Sequence, residues 1–451
     1  MMAILLERAG ADYYIYERHH EFRAIGSATG MWTNILPLFE QLGLLEKLMS
    51  ISKEQIDLSI FDGQMNQIGH MDLRDHIDLT GYRPLCMYRK DLHQLLLNEV
   101  PKERIRLGRK VLSILQNQEG VMIRCSNNKT YHGDILIGAD GAYSGVRQSL
   151  FKQLKESGKL CKADGAQLKV HHMSILGTTG PLDPIKYPRV HEEYGRTGIF
   201  IGDNSRHTWR YFVIPDGRVC WRIDTQLEST VFEESESFRV SDWDADAIKV
   251  DSELWQHCMT DLGASIGDLI NLTPPQAVTK VMLEERLFET WFYCRTVLIG
   301  DSCHKMLPNA GRGAINAMQD AISLANAIYD MEDSSPASIT KAFKAYHNER
   351  YPHAVQDFAS STQMAKVLAG QNWIDSVTRK VVLNYMPKWL SKKTTIKSMR
   401  YRPQLSYLAQ IESRGSVEAL PLKVSKRYLA EQAAKSHAAS KSAEVEPKTT
   451  Q

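Results

Sequence analysis

Apolar positions in the first 150 residues follow two rhythms, and their alternation predicts an α/β layout. Ala3-Ile4-Leu5-Leu6, then Glu7-Arg8 and Gly10, reads as the closing turns of a helix ended by glycine. Asp12 to Tyr16 is a short β-prone run that ends at Glu17. Leu38, Leu42, Leu45 and Leu48 or Met49 recur three and four apart, which predicts one helix from about 34 to 49. Alternation through Leu58-Ser59-Ile60-Phe61 predicts a strand. Arg89 opens another helix, with Leu92, Leu95, Leu96 and Leu97 behind it. Further strands are expected at 121–124 and 134–137. The second of these runs into Gly138-Ala139-Asp140-Gly141, and a helix follows from Ser144.

Between about 165 and 285 the pattern changes. Gly and Pro punctuate β-prone segments such as Trp209 to Ile214, with one helix expected near Asp246 to Leu262. After Arg295 the first character returns: a short apolar strand, Thr296 to Ile299, then a glycine-containing loop and a helix from about Gly313 to Asp330. The chain therefore divides into an α/β domain at 1–164, an inserted and mostly antiparallel sheet at 165–285, and the resumed α/β domain at 286–360. A helical C-terminal region follows at 361–430. From 431 to 451 the Ala/Ser/Lys/Glu-rich composition predicts a disordered tail.

Composition narrows the function classes. Among 451 residues, 55 Lys and Arg stand against 53 Asp and Glu, a balance that gives nucleic acid no electrostatic reason to bind. The cysteines number seven, and no two are spaced Cys-x-x-Cys, so neither a disulfide framework nor a metal site is expected. The expected location is intracellular, either cytoplasmic or peripherally on a membrane. Residues 1–10 lack the basic leader of a signal peptide, and no run reaches the ~18 apolar residues of a spanning helix.

Three constellations sit where open α/β sheets place ligands, at the C-terminal ends of expected strands. Glu17 follows the second strand-like run and offers a carboxylate to ribose hydroxyls; a solvated Glu beside Arg18 is the plainer alternative. Asp140-Gly141 lies among glycines that let backbone approach a ligand, with Ser144 ready to cap the next helix. The sharpest is Gly300-Asp301-Ser302-Cys303-His304-Lys305-Met306-Leu307-Pro308-Asn309-Ala310-Gly311-Arg312-Gly313-Ala314-Ile315-Asn316. Asp301 can hold polyol hydroxyls, Pro308 fixes a turn, and Gly311 and Gly313 expose amides at a helix start, where negative charge is favoured.

This last string resembles the Gly-Asp motif of FAD-dependent class A flavoprotein monooxygenases, the aromatic-ring hydroxylases and related epoxidases. Asp140-Gly141 resembles their Asp-Gly motif, and Arg89 before Asp91-Leu92 resembles their arginine near the FAD pyrophosphate. Lys305-Met306-Leu307-Pro308-Asn309 looks most like fungal salicylate-hydroxylase-like enzymes and meroterpenoid epoxidases. The resemblance spans residues 1 to about 360. It implies a Rossmann-like FAD-binding domain and a reaction in which NAD(P)H reduces FAD. O2 then forms a flavin C4a-hydroperoxide that oxygenates an aromatic or isoprenoid small molecule. By resemblance, Glu17 binds ribose, Arg89 the pyrophosphate region and Asp301 the ribityl chain. Gly30 lies beside the cofactor, Asp140 and Gly141 link the FAD and NAD(P)H sites, and Pro308, Gly311, Gly313 and Ala314 face the flavin. Tyr194, Arg196 and Tyr211 become candidates for the substrate pocket, with Tyr194 as the candidate catalytic residue.

Two departures stand out. The family begins with a strand and a Gly-x-Gly-x-x-Gly turn ahead of a segment like Ala3 to Ala11, so the FAD-binding domain is expected to be truncated at its N-terminus. The family also usually has Gly-x-Gly-Ala-Asn, whereas here Ile315 takes the Asn position, and Arg312 stands where Gln is common. The Arg312 charge either stabilises reduced flavin or points to solvent. The alternatives to a monooxygenase are a flavin-dependent dehydrogenase or reductase on the same fold and a truncated non-catalytic remnant. Residues 365–425 are basic and contain Trp373, so they are a candidate peripheral membrane contact.

Overall fold

The computed structural model describes residues 1–22, 28–165, 169–202, 207–227, 252–308, 311–369 and 395–444. Two short parallel pairings form the α/β part. Ile15–Tyr16 pairs with Ile105–Arg106, and Leu136–Gly138 pairs with Thr296–Leu298, whose other edge takes Phe292–Tyr293. Helices Met2–Arg8, Arg89–Asn98, Gly145–Glu156 and Gly313–Tyr329 surround them. Leu5, Phe39, Leu48, Ile315 and Ile322 close one core between these helices, and Leu150, Val297, Leu298, Phe343 and Tyr346 close a second.

The helix expected over 34–49 is two helices, Leu36–Gln41 and Leu45–Ser50. Gly43 lies between them at φ 72°, a left-handed turn that keeps the apolar spacing but ends the first helix. Arg89–Asn98 and Gly145–Glu156 form where expected, the second capped by the Ser144 hydroxyl accepting from Arg147 N–H.

The large sheet is not confined to 165–285. Its strands run in the order His304–Lys305, Val278–Leu287, Lys169–Thr178, Arg218–Gln226, His207–Ile214, Gly195–Ile201, Ser52–Asp62, Leu85–Tyr88 and Ala28–Met31. Gln67–Asp72 also pairs with Ser52–Asp62. Gly195–Ile201 and Ser52–Asp62 run parallel, so the inserted segment is stitched into the first domain. Pairing between segments this far apart in sequence leaves no trace in local periodicity.

The period of two sorts this sheet into two faces. Trp209, Tyr211, Val213, Trp221 and Ile223 pack beneath Ile266–Asn271. Phe212, Ile214 and Cys220 point the other way, onto Ala28, Cys86 and Tyr88. The helix expected near 246–262 falls partly outside the described residues. Residues 252–262 hold only a turn at Glu253–Trp255, and the helix is Ile266–Asn271. Its start is set by Ser265 and Asp268, which cap each other's backbone N–H.

The C-terminal region departs from the helical expectation. Pro336–Ala369 is helical and so are 395–400, but 401–425 cross the surface without regular structure. Pro403, Gly415 and Pro421 interrupt the helical pattern there. The strap is fixed by side chains that satisfy its backbone. Gln41 accepts from Leu405 N–H at 2.8 Å and donates to Leu405 C=O at 2.9 Å. Asn326 donates to Gln404 C=O and accepts from Ser406 N–H. Tyr407 Oη donates to Leu5 C=O at 2.8 Å.

Of the tail expected to be disordered at 431–451, residues 431–444 belong instead to the helix Lys426–Glu444, and 445–451 lie outside the described residues. Ala, Lys, Gln and Glu are strong helix formers, so the same composition serves both states. Docking decides for the helix: Arg427 stacks on the Tyr329 ring, and Tyr329 Oη donates to Glu431. In the candidate membrane segment 365–425, residues 370–394, including Trp373, lie outside the described residues. Among the described residues no helix is long and apolar enough to cross a membrane.

Gly415 has φ 76°, and a Cβ there would sit 2.4 Å from Thr80 N and 2.5 Å from Leu79 C. The left-handed conformation alone costs an L-residue about 1–2 kcal/mol. Gly415→Ala should therefore loosen the strap, read as faster limited proteolysis within 401–425; an unchanged digestion pattern would refute its anchoring role.

Candidate active site

Glu17 follows one of the two short parallel pairings, and Asp140 and Asp301 follow the other. Glu17 follows Ile15–Tyr16, its N–H donating to Arg106 C=O. Its carboxylate accepts from His19 N–H at 2.9 Å, which holds the loop after the strand. Leu85–Tyr88 runs directly into Arg89–Asn98, so Arg89 occupies the first helical position. Arg89 is exposed and makes no hydrogen bond or ion pair among the described residues. His93, one turn on, lies within the electrostatic reach of both Arg89 and Glu17. Burial first, and Arg89 second, lower its pKa. The Glu17 and Arg89 sites are thus neighbours.

Leu136–Gly138 and Thr296–Leu298 lie in parallel register, which sets Asp140 next to Gly300-Asp301. Ile299 N–H and Ser302 Oγ both donate to Gly138 C=O, at 3.0 and 2.7 Å. Arg147 ties the two loops together, donating to Ala142 C=O at 2.6 Å and to Ser302 C=O at 2.8 Å while stacking on Phe288. The Asp140 carboxylate accepts from Ser144 Oγ and from Val146 N–H, so it caps the helix and shapes the loop. Asp301 is half-buried, with Lys305 Nζ donating to it at 2.7 Å.

The turn from Pro308 closes by Gly311 N–H donating to Pro308 C=O, and Gly311 adopts φ 62°. Asn309 and Ala310 lie outside the described residues. A Cβ on Gly311 would approach Trp32 Nε1 at 3.6 Å, which brings the end of Ala28–Met31, and with it Gly30, to the start of Gly313–Tyr329. A Cβ on Gly141 or Gly313 would meet nothing within 4 Å, so both glycines border open space. Ala314 is exposed at the second helical position.

Below this shelf lies a group that sequence reasoning passed over. The buried Asp320 carboxylate accepts from Gly300 N–H at 2.9 Å, from Arg350 Nε at 2.8 Å and from His304 Nε2. Burial alone would raise its pKa. Attraction to His304 and Arg350 and their hydrogen bonds outweigh that and hold it at about 2. Cys303, His304 and Asp320 converge closely enough to suggest metal ligands, but the guanidinium of Arg350 already neutralises the carboxylate. Asn316, the displaced motif asparagine, turns inward. It donates to Asp357 at 2.8 Å and accepts from Arg350 at 2.7 Å, while Ile315 is fully buried. The signal was present, since Asp320 lies within the motif helix, but its partner Arg350 is thirty residues away on another helix.

Three candidates are not drawn into this gathering. Tyr194 lies under the Arg83 guanidinium, and Arg196 is held by Glu192 at 2.9 Å and Asp57 at 3.2 Å. Tyr211 is 1% exposed and belongs to the sheet face packed on Ile266–Asn271. The face toward Gly30 and Arg89 carries Phe212 instead. Register decides this, and a shift of one residue along a strand exchanges the faces.

A fold of strand-end carboxylates, glycine-lined turns and a helix start facing open space defines a nucleotide-cofactor protein. The family model described as FAD binding domain matches residues 1–361, and the chain belongs to that family. Among curated proteins it is 27% identical over 391 residues to the FAD-dependent monooxygenase verC1 of Penicillium polonicum, covering 83% of this chain but 46% of that protein. It is 26% identical over 429 residues to the FAD-dependent monooxygenase cle3 of Aspergillus versicolor, covering 90% of this chain and 82% of that one. In structure it resembles Klebsiella pneumoniae HpxO complexed with FAD and uric acid. The TM-score is 0.69 at 18% identity, covering 88% of this chain and 93% of that one. It also resembles 2-methyl-3-hydroxypyridine-5-carboxylic acid oxygenase, with a TM-score of 0.65 at 20% identity over 89% and 93% of the two chains.

Removing one partner of a buried ion pair costs about 3–5 kcal/mol. Asp320→Asn should lower the urea-unfolding free energy by about that amount at neutral pH. The folded pKa is depressed, so the carboxylate's contribution is complete above the ordinary value of about 4 and is lost as pH falls toward about 2. Unfolding curves of both proteins across that window check the sign; a difference that grew on acidification would refute it.

Proposed function

We propose that this chain is an FAD- and NAD(P)H-dependent monooxygenase that inserts one oxygen atom of O2 into an aromatic or isoprenoid small molecule. The observation that carries this reading is the parallel register that sets Asp140 beside Gly300-Asp301, with Gly300 tied through Asp320 to the Gly313–Tyr329 helix, whose first residue borders open space. Membership of the FAD-binding family and the monooxygenase names of its relatives supply the reaction class.

The donor set fits the cofactor. Arg89, with no hydrogen bond or ion pair among the described residues, is a cation for a pyrophosphate, Asp301 offers acceptors to ribityl hydroxyls, and Glu17 offers them to ribose. Open space at Gly141 and Gly313 lets backbone approach a flat ring. When bound, FAD supplies two-electron reduction by NAD(P)H and activation of O2. The protein's part is placement. The amides at the start of Gly313–Tyr329 favour negative charge, and Arg147 keeps the Asp140 and Asp301 loops in register. His304 is spent on Asp320, which leaves the substrate to be oriented rather than deprotonated by it.

The purified chain should retain FAD through gel filtration, and Arg89→Ala should weaken FAD binding about tenfold or more, the scale of one hydrogen bond to a charged group. NAD(P)H oxidation with a phenolic or prenylated substrate under isotopically labelled O2 should place label in the product. Unlabelled product with NAD(P)H consumed would move the reading to a dehydrogenase or reductase.

A further inference from the structure

Arg312 breaks the charge logic of its helix. It is the residue before Gly313–Tyr329, a seventeen-residue helix with no acidic residue in its first turn. The start of a helix is already positive, and an added cation there is unfavourable unless an anion comes to it. The Arg312 guanidinium makes no hydrogen bond or ion pair among the described residues. It is nevertheless drawn inward, where burial lowers its pKa against the pull of Asp357. The Asp357 carboxylate already accepts from Asn316 at 2.8 Å. What holds the guanidinium is the face of Trp32, 5.6 Å away. Trp32 follows Ala28–Met31, the strand that carries Gly30. His76 also packs against that indole, and burial first, with Arg312 adding to it, lowers its pKa. A half-buried cation with no hydrogen-bonding partner among the described residues, stacked on an indole and added to a positive helix start, describes a receptor for an anion.

We propose that Arg312 is a fixed counter-charge for the anionic pyrimidine edge of reduced flavin, kept in place by the Trp32 ring. This rests on FAD binding at the shelf. Two electrons and one proton taken up by the oxidised ring leave it with one negative charge, and an adjacent cation favours that state over the neutral one. The guanidinium stays charged throughout, so the effect is built in rather than titrated. Anions on a substrate share the same chemistry, and the test separates the two sources.

The experiment uses the FAD-loaded chain and its Arg312→Gln and Arg312→Lys variants. Flavin retained through gel filtration reports on cofactor binding, so a loss of FAD from the wild-type chain would overturn the shelf reading, and this inference with it. In chains that hold flavin, sulfite is the probe, because its addition to the oxidised ring leaves a negative charge on the same edge. Arg312→Gln should weaken sulfite binding about tenfold. It should lower the two-electron reduction potential by a matching tenfold in equilibrium constant, about 30 mV. Arg312→Lys should keep most of both. Unchanged sulfite affinity and potential in a flavin-loaded Arg312→Gln chain would overturn the proposal. So would a weakened affinity for benzoate alone, which would assign the charge to a substrate anion.

Discussion

The buried carboxylate of Asp320 is the constraint on which the placement of the Asp301 loop depends. It sits inside the Gly313–Tyr329 helix, yet its hydrogen bonds reach Gly300 N–H at a strand end, His304 on the following loop and Arg350 on the long helix. Three separate pieces of chain are thereby set relative to one another within hydrogen-bond tolerance. A carboxylate so deep would be neutralised by burial alone, and two cationic or hydrogen-donating partners keep it ionised. The geometry of Asp301 follows, because Gly300 cannot move without breaking the bond its amide makes to Asp320.

Arg147 performs the corresponding service on the other side of the parallel pair. Its two carbonyl acceptors lie on the Asp140 loop and the Asp301 loop, so one planar group fixes their spacing. By contrast, Gly141 and Gly313 border open space, and Arg89 and Arg312 make no hydrogen bond or ion pair among the described residues. Rigid charge lies beneath, and uncommitted charge and bare backbone lie above. Arg89 would lose no described partner on meeting a ligand, whereas Glu17 and Asp301 already hold His19 N–H and Lys305 Nζ.

Much of this was legible in the chain. Glycines, a proline and an aspartate at fixed offsets announce a strand-turn-helix, and their chemistry survives without knowledge of the fold, which is why the Gly300-to-Gly313 string located the helix start. Glu17 and Asp140 were read from strand ends in the same way, whereas Arg89 came only from the resemblance of its motif. What failed was everything decided by non-local pairing. Tyr211 was chosen from a β-prone run whose register is set by strands at 195–201 and 218–226, and alternation turned it to the far face. The stitch between 52–62 and 195–201 and the pairing of Asp320 with Arg350 are likewise invisible to local spacing. The tail at 431–444 failed for another reason: its composition suits both a free coil and a helix, and only the Tyr329 and Arg427 contacts choose.

The strap gives the fold a particular order of assembly. Tyr407 seals the first helix by bonding Leu5 C=O, across 402 residues of sequence. Gln41 depends on Leu405 and Ala409 in the same way, and Tyr329 on Glu431. During synthesis the Met2–Arg8 helix keeps an apolar flank uncovered until Leu405 and Tyr407 have been made. Its packing is therefore completed late, and a chain stopped before residue 405 would leave that flank exposed.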